Sequence, residues 1–222
     1  MRTNGGCALP CWWGIIPGET RWKEAEHFLR PFTIIMPLGS SKVETSGEIK
    51  SYSIYEIQSS MLQDRTISLS WISKIEGMVT HIDVNSSVTT ASFQLNQLLT
   101  DYGPPEQVYI RTISNTPGMY LPFDLILFYP EQRILAHYLF ESQLIAETLR
   151  ACPKRQGPEE LWVWSQDEDL IQRRGIQELV FGQMTRKMKP LDEATDLDIP
   201  RFYEIYRDPT TWECFETPAG LW

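Results

Sequence analysis

Four cysteines, three histidines and several short acidic runs are the residues of this 222-residue chain whose chemistry goes beyond packing. The cysteines are Cys7, Cys11, Cys152 and Cys214. An even count fits two disulfides, and four cysteines permit three pairings that sequence alone does not separate. The preferred pairing is Cys7 with Cys11 and Cys152 with Cys214. The second closes a long loop and ties the tail to the body, the kind of crosslink that stabilises most in the chain-entropy description. The competing reading leaves all four reduced, one or two of them buried as small hydrophobes. A metal held by all four is disfavoured, because the spacing has no paired Cys-x-x-Cys knuckles.

The histidines, His27, His81 and His137, fall in three different elements, and the bland reading is surface or half-buried side chains. A hydrolase triad needs a serine or cysteine beside a base, yet no Gly-x-Ser-x-Gly elbow occurs and no cysteine adjoins a histidine. The acidic run Asp192, Glu193, Asp196 and Asp198 lacks the loop glycine and the distal bidentate glutamate of a calcium-binding EF-hand. Asp198 reads instead as a helix cap. Glu159, Glu160 and the Asp167-Glu168-Asp169 turn could supply a glycosidase pair, but nothing fixes a separation between carboxylates. No catalytic, cofactor-binding or metal-binding residue is therefore assigned. Aromatic side chains bury large area at low entropic cost. Trp162, Trp164, Trp212 and Trp222, which fall on no predicted core face, are the candidates for a binding surface.

The net charge of -9 argues against nucleic acid as a partner. Arg173-Arg174 and Arg186-Lys187-Met188-Lys189 are short clusters in acidic surroundings and read as solvated faces. No apolar run is long enough to span a bilayer, and the first six residues are no signal peptide, so export would place the targeting segment upstream.

These residues are positioned by a mixed set of elements. Cys7 to Thr20, with Trp12, Trp13 and Pro17-Gly18, reads as a hydrophobic anchor ahead of a helix capped by Thr20. Trp22, Ala25, Phe28, Leu29 and Phe32 recur at helical spacing, and Pro31 ends the pattern. Gly39 to Gly47 reads as a loop. Strands are expected at Ile49 to Gln58, through Ile67, Leu69 and Trp71, and at Met78 to Val84, with Lys74 to Gly77 as a turn. A second helix, capped by Thr89 or Thr90, carries Leu95, Leu98, Leu99 and Tyr102 on one face and stops at Gly103-Pro104-Pro105. Strands at Val108 to Ile113, Asp124 to Tyr129 and Arg133 to Phe140 follow, so that the plan of one helix and three strands occurs twice. Beyond Cys152 lie a strand at Leu161 to Trp164, an acidic turn at Gln166 to Asp169, and Gln177 to Phe181, which could be helix or strand. A helix capped by Asp198 comes next, with Pro200 in its first turn and Phe202, Tyr203, Ile205 and Tyr206 on its apolar side. An aromatic tail to Trp222 should pack back onto the body.

The opening Cys-x-x-x-Cys-Trp-x-Gly-Ile-x-Pro-Gly-x-Thr, from Cys7 to Thr20, resembles that of a family of uncharacterised bacterial envelope lipoproteins. The resemblance extends more loosely to Tyr102-Gly103-Pro104-Pro105-Glu106-Gln107-Val108 and to Phe202-Tyr203 through Cys214-Phe215-Glu216-Thr217-Pro218. It implies an exported location but no activity. Those lipoproteins carry a lipid anchor on a cysteine near the mature N-terminus, here Cys7, with Asn4 where they have an apolar residue. The helix-then-strands plan with its Tyr-Gly-Pro-Pro stop, roughly Thr20 to Phe140, is also similar to small outer-membrane assembly lipoproteins and to beta-lactamase inhibitor proteins. That likeness implies a binding or scaffolding role.

The resulting expectation is an α+β protein with two helix-plus-antiparallel-sheet modules and a C-terminal extension. Its segments are an anchored start (1–19), the modules (20–86 and 87–150) and the extension (151–222). It is expected to be extracellular or envelope-associated and non-catalytic, to need no cofactor, and to bind a protein or envelope component. An envelope hydrolase and a structural module of an envelope assembly are the alternatives.

Overall fold

The computed structural model describes residues 6–31, 33–45, 48–59, 67–73, 77–86, 93–113, 121–166, 175–176, 180 and 188–222. In chain order the first elements are α1 (Trp22–Leu29), β1 (Thr33–Thr45), β2 (Glu48–Ser59), β3 (Ile67–Ser73), β4 (Val79–Ser86) and α2 (Leu95–Tyr102). Then come β5 (Gln107–Thr112), β6 (Leu121–Tyr129), β7 (Ile134–Ile145), β8 (Thr148–Ala151) and β9 (Glu160–Trp164). The chain continues through β10 (Lys189–Pro190), α3 (Leu191–Ala194), α4 (Ile199–Tyr206), β11 (Phe215–Pro218) and a closing 3-10 turn, Ala219–Leu221. The class is α+β, with antiparallel sheet and short helices. Two compact units are present: 1–88 with 131–134 and 160–173, and 89–130 with 135–159 and 174–222. Residues 151–222 are divided between the two units.

In the first unit the strand order is β1-β2-β3-β4-β9, antiparallel throughout. The stretch Gly39 to Thr45, expected as a loop because of its glycine and serines, is instead the second half of β1. The ladder to β2 shifts register between Pro37 and Gly39 and then runs on from Gly39 opposite Ile54 to Thr45 opposite Glu48. A bulge absorbs the turn-forming residues without ending the strand.

The N-terminal anchor is built as a tight hairpin. Trp12 and Ile15 exchange two backbone hydrogen bonds of 2.8 Å each around Trp13 and Gly14, whose φ values are 53° and 80°. Two consecutive positive φ values define a type I′ turn, and it sinks both Trp12 and Ile15 into the core. Thr20 does not cap α1, as the sequence suggested. Its Oγ1 accepts from the Ile16 amide at 2.8 Å, closing the Pro17-Gly18 turn, and Arg21 occupies the cap position, with its amide donating to Glu24 Oε2 at 3.3 Å. The turn hydroxyl is the nearer acceptor, so Thr20 is used there.

Gly18 fixes how this anchor meets the sheet. Its amide donates to the Val79 carbonyl at 2.7 Å, its φ is +87°, and a Cβ built there would stand 2.8 Å from the Ser165 Cβ. Gly18→Ala therefore combines a disfavoured backbone with a clash against a buried neighbour, and should cost about 2–3 kcal/mol. Thermal unfolding checks this, with Gly14→Ala as the comparison: Gly14 also has positive φ but meets open space.

In the second unit the strand order is β10-β5-β6-β7-β8-β11. Leu95, Leu98 and Leu99 of α2 are buried, and Gly103, at φ 78°, ends the helix by donating to the Leu99 carbonyl at 2.9 Å. The expected caps Thr89 and Thr90 lie outside the described residues, and Gln94 holds the cap position. Asp198 caps α4 as expected, its carboxylate accepting from the Arg201 amide at 2.8 Å. The core of this unit is aromatic. Phe215 is fully buried, with ring centroids of Tyr206 at 4.5 Å, Phe123 at 5.4 Å, Phe202 at 6.2 Å and Phe140 at 6.4 Å. The aromatic tail thus packs back through β11, which lies antiparallel to β8.

Candidate functional site

Two strand ladders carry buried polar side chains. In the first unit β4 and β9 pair His81 with Trp164 and Asp83 with Trp162, and Glu160 stands two residues before Trp162 on β9. Because successive residues alternate faces, these share one side of the ladder, while Ile82, Val84, Leu161 and Val163 form the buried apolar side. The Trp162 indole N–H donates to the Asp83 carboxyl. The other oxygen, Oδ1, is buried and has no hydrogen-bond partner among the described residues. Burial first, and then the charge of Glu160, push the Asp83 carboxyl up to about 7, against the opposing Trp162 hydrogen bond. A carboxyl in this setting changes charge near neutral pH.

In the second unit a relay crosses three strands. Asp124 on β6 accepts from Arg111 Nε of β5 at 2.9 Å through Oδ2, and its Oδ1 lies 2.8 Å from His137 Nε2 of β7. Asp124 and His137 are both buried. The carboxylate bonds to both neighbours at once. Such a relay orients its members.

The third feature is a groove of about 480 Å³ along β5, lined by Glu106 to Tyr109, by Pro190 to Asp192, and by Asp198 to Pro200. Val108 and Leu191 form a buried apolar floor, and Glu106, Asp192 and Asp198 are exposed carboxylates at its rim. All six residues of β5 pair with β6, and among the described residues Tyr109 and Ile110 have partners on the other edge, Pro190 and Lys189. Gln107 and Val108 line the groove where β10 gives way to α3, and Val108 is buried there.

The residues singled out in the sequence are dispersed. Cys7 is bonded to Cys11, and Cys152 to Cys214. Trp162 and Trp164 are 3% and 5% exposed and present no open platform, because their side of the ladder is covered. Trp212 and Trp222 are half-buried. Their indole N–H groups donate to the Tyr206 carbonyl at 2.9 Å and to Thr217 Oγ1 at 3.0 Å, so both pin the tail. His27 is exposed, whereas His81 and His137 are buried, deeper than the surface or half-buried placement expected. Among the described residues no cluster of histidine, cysteine and carboxylate fit to hold a metal occurs. Asp167 to Asp169, most of Gln177 to Phe181 and the Arg173-Arg174 pair lie outside the described residues.

Sequence reasoning missed Asp83, Arg111 and Asp124. The available signal was a lone carboxylate inside an apolar run: Leu121-Pro122-Phe123-Asp124-Leu125-Ile126-Leu127-Phe128-Tyr129 reads as a strand buried on both faces. A charge there demands a partner. Compared with protein-family models, with curated proteins and with solved structures, the chain matches none.

Proposed function

We propose that this is a non-catalytic exported protein of the bacterial envelope that takes an extended, basic segment of a partner protein in the groove along β5. The observation that carries the reading is the β5 groove: the part of β5 beyond its two-residue pairing with β10, with an apolar floor and a rim of carboxylates. Unpaired edge amides and carbonyls recognise an extended chain, side-chain pockets choose among sequences, and the acidic rim selects for lysine and arginine. The net charge of -9 favours the same partner. Two disulfides support an oxidising compartment, and no helix among the described residues is long and apolar enough to cross a membrane.

The test uses an alternating Lys-Val decapeptide followed by fluorescence anisotropy. The peptide should bind, more tightly at low salt, and the double charge reversal Glu106→Lys, Asp192→Lys should weaken binding about tenfold, or roughly 1.4 kcal/mol. Both residues are exposed, so the fold should survive the change. No binding, or binding indifferent to the reversal, would sink the reading.

A further inference from the structure

The disulfide between Cys152 and Cys214, 62 residues apart, is placed differently from a core staple. Cys152 is exposed and Cys214 is half-buried. Together they line an open surface groove of about 460 Å³ with Glu141, Gln143, Ile145, Arg150 and Lys154. Arg150 and Lys154 bring two cations to this groove. Their ion pairs, Arg150 with Glu216 at 3.5 Å and Lys154 with Glu141 at 2.7 Å, join exposed side chains and are weakly held. The two cations offset the carboxylates of Glu141 and Glu216, so that neither an incoming nor a departing thiolate meets uncompensated negative charge here.

The strand behind the bond does not depend on it for its place. Cys214 directly precedes β11, whose four residues all pair with β8. Phe215 and Thr217 are fully buried, and the Ala219 amide donates to the Glu147 carbonyl at 2.8 Å. With these contacts kept, opening the bond leaves the two cysteines facing each other at the end of the β8–β11 ladder. Re-forming the bond is then a local step.

From this we propose that Cys152–Cys214 is a thiol–disulfide exchange site, opened and closed by the dithiol of a partner oxidoreductase while the fold stays intact. A partner thiolate attacks the sulfur of Cys152, an exposed residue. The Cys152–Cys214 bond breaks, its electron pair leaves on the Cys214 sulfur, and a partner–Cys152 mixed disulfide forms. The partner's second thiolate then attacks its own bonded sulfur and expels the Cys152 thiolate. The partner's dithiol is oxidised to a disulfide, and the Cys152/Cys214 pair gains two electrons and, on protonation, two protons.

The test uses dithiothreitol as the dithiol and the full chain carrying Cys7→Ser and Cys11→Ser, with the parent chain followed in parallel by alkylation, digestion and mass mapping. Reduction of Cys152–Cys214 should be first order in dithiothreitol under native conditions, with near-ultraviolet circular dichroism retained. The reversal Arg150→Glu, Lys154→Glu should slow it about fivefold or more. A rate independent of dithiothreitol concentration, or reduction that proceeds only with loss of tertiary signal, would overturn the proposal, since the bond would then be a staple reached by unfolding. Charge reversal without effect on the rate would also overturn it, leaving an exposed bond with no built site.

Discussion

The stability advantage of Asp83→Asn over the parent chain should grow by roughly 4 kcal/mol between pH 4 and pH 8, at about 1.4 kcal/mol for each unit of pKa displacement. Burial raises the Asp83 carboxyl from 3.8 to about 7. In the unfolded chain the group ionises near pH 4, so between pH 4 and 7 the unfolded state binds fewer protons than the folded one. Stability is then lost as pH rises, fully present below the unfolded value and levelling off above about 7. Asparagine keeps an acceptor for the Trp162 indole and removes the titration. Urea unfolding of both chains at pH 4, 5, 6, 7 and 8 measures the difference. A difference that stays flat with pH would mean that Asp83 is ionised in the folded protein, with Glu160 turned away or a cation close by. Because Trp162 and Trp164 share the Asp83 side of the ladder, tryptophan fluorescence titrated through pH 7 gives an independent reading, which Asp83→Asn should abolish.

Periodicity made much of the fold legible. The apolar spacing of Trp22, Ala25, Phe28 and Leu29, and of Leu95, Leu98, Leu99 and Tyr102, gave two helices; Trp22, Ala25, Leu29 and the three leucines are buried, Tyr102 is half-buried and Phe28 is exposed. The apolar run at Leu161 to Trp164 gave β9, and Asp198 with Pro200 gave the start of α4. The parts that were not legible depend on contacts distant in sequence. Gly39, Ser40 and Ser41 read as loop because their local preference is for turns, and they extend because β2 supplies a partner for each of them. Trp162 and Trp164 looked spare because nothing local told which side of β9 would be covered. Asp124 could be seen as a misplaced charge, but its partners lie 13 residues away on either side, on two other strands. The β5 groove was invisible for the same reason: Gln107 meets Pro190 and Asp192 only through the short strand β10.

Asp124→Asn should cost about 3–5 kcal/mol, among the largest effects of any single substitution in the chain, because it breaks a buried ion pair from its centre. The asparagine amide cannot satisfy both neighbours as acceptors. One of Arg111 Nε and His137 Nε2 then meets the amide NH2 in place of an oxygen, and the Arg111 guanidinium, 13% exposed, loses its counter-charge. The informative comparison is the triple variant Arg111→Met, Asp124→Leu, His137→Phe, which removes all three polar groups together. If the relay serves only to satisfy itself, the triple variant should unfold at a higher urea concentration than Asp124→Asn, since apolar replacement of a whole buried network is often neutral where partial removal is not. It should also still bind the Lys-Val peptide, because the relay side chains are not among those lining the groove. A triple variant that folds as stably as the parent but loses peptide binding would make the relay part of the recognition surface. Loss of a hydrolytic activity in that same folded variant would instead favour the envelope-hydrolase reading, with His137 and Asp124 as its working pair. The comparison separates these outcomes because each variant's stability is measured on the sample used for binding.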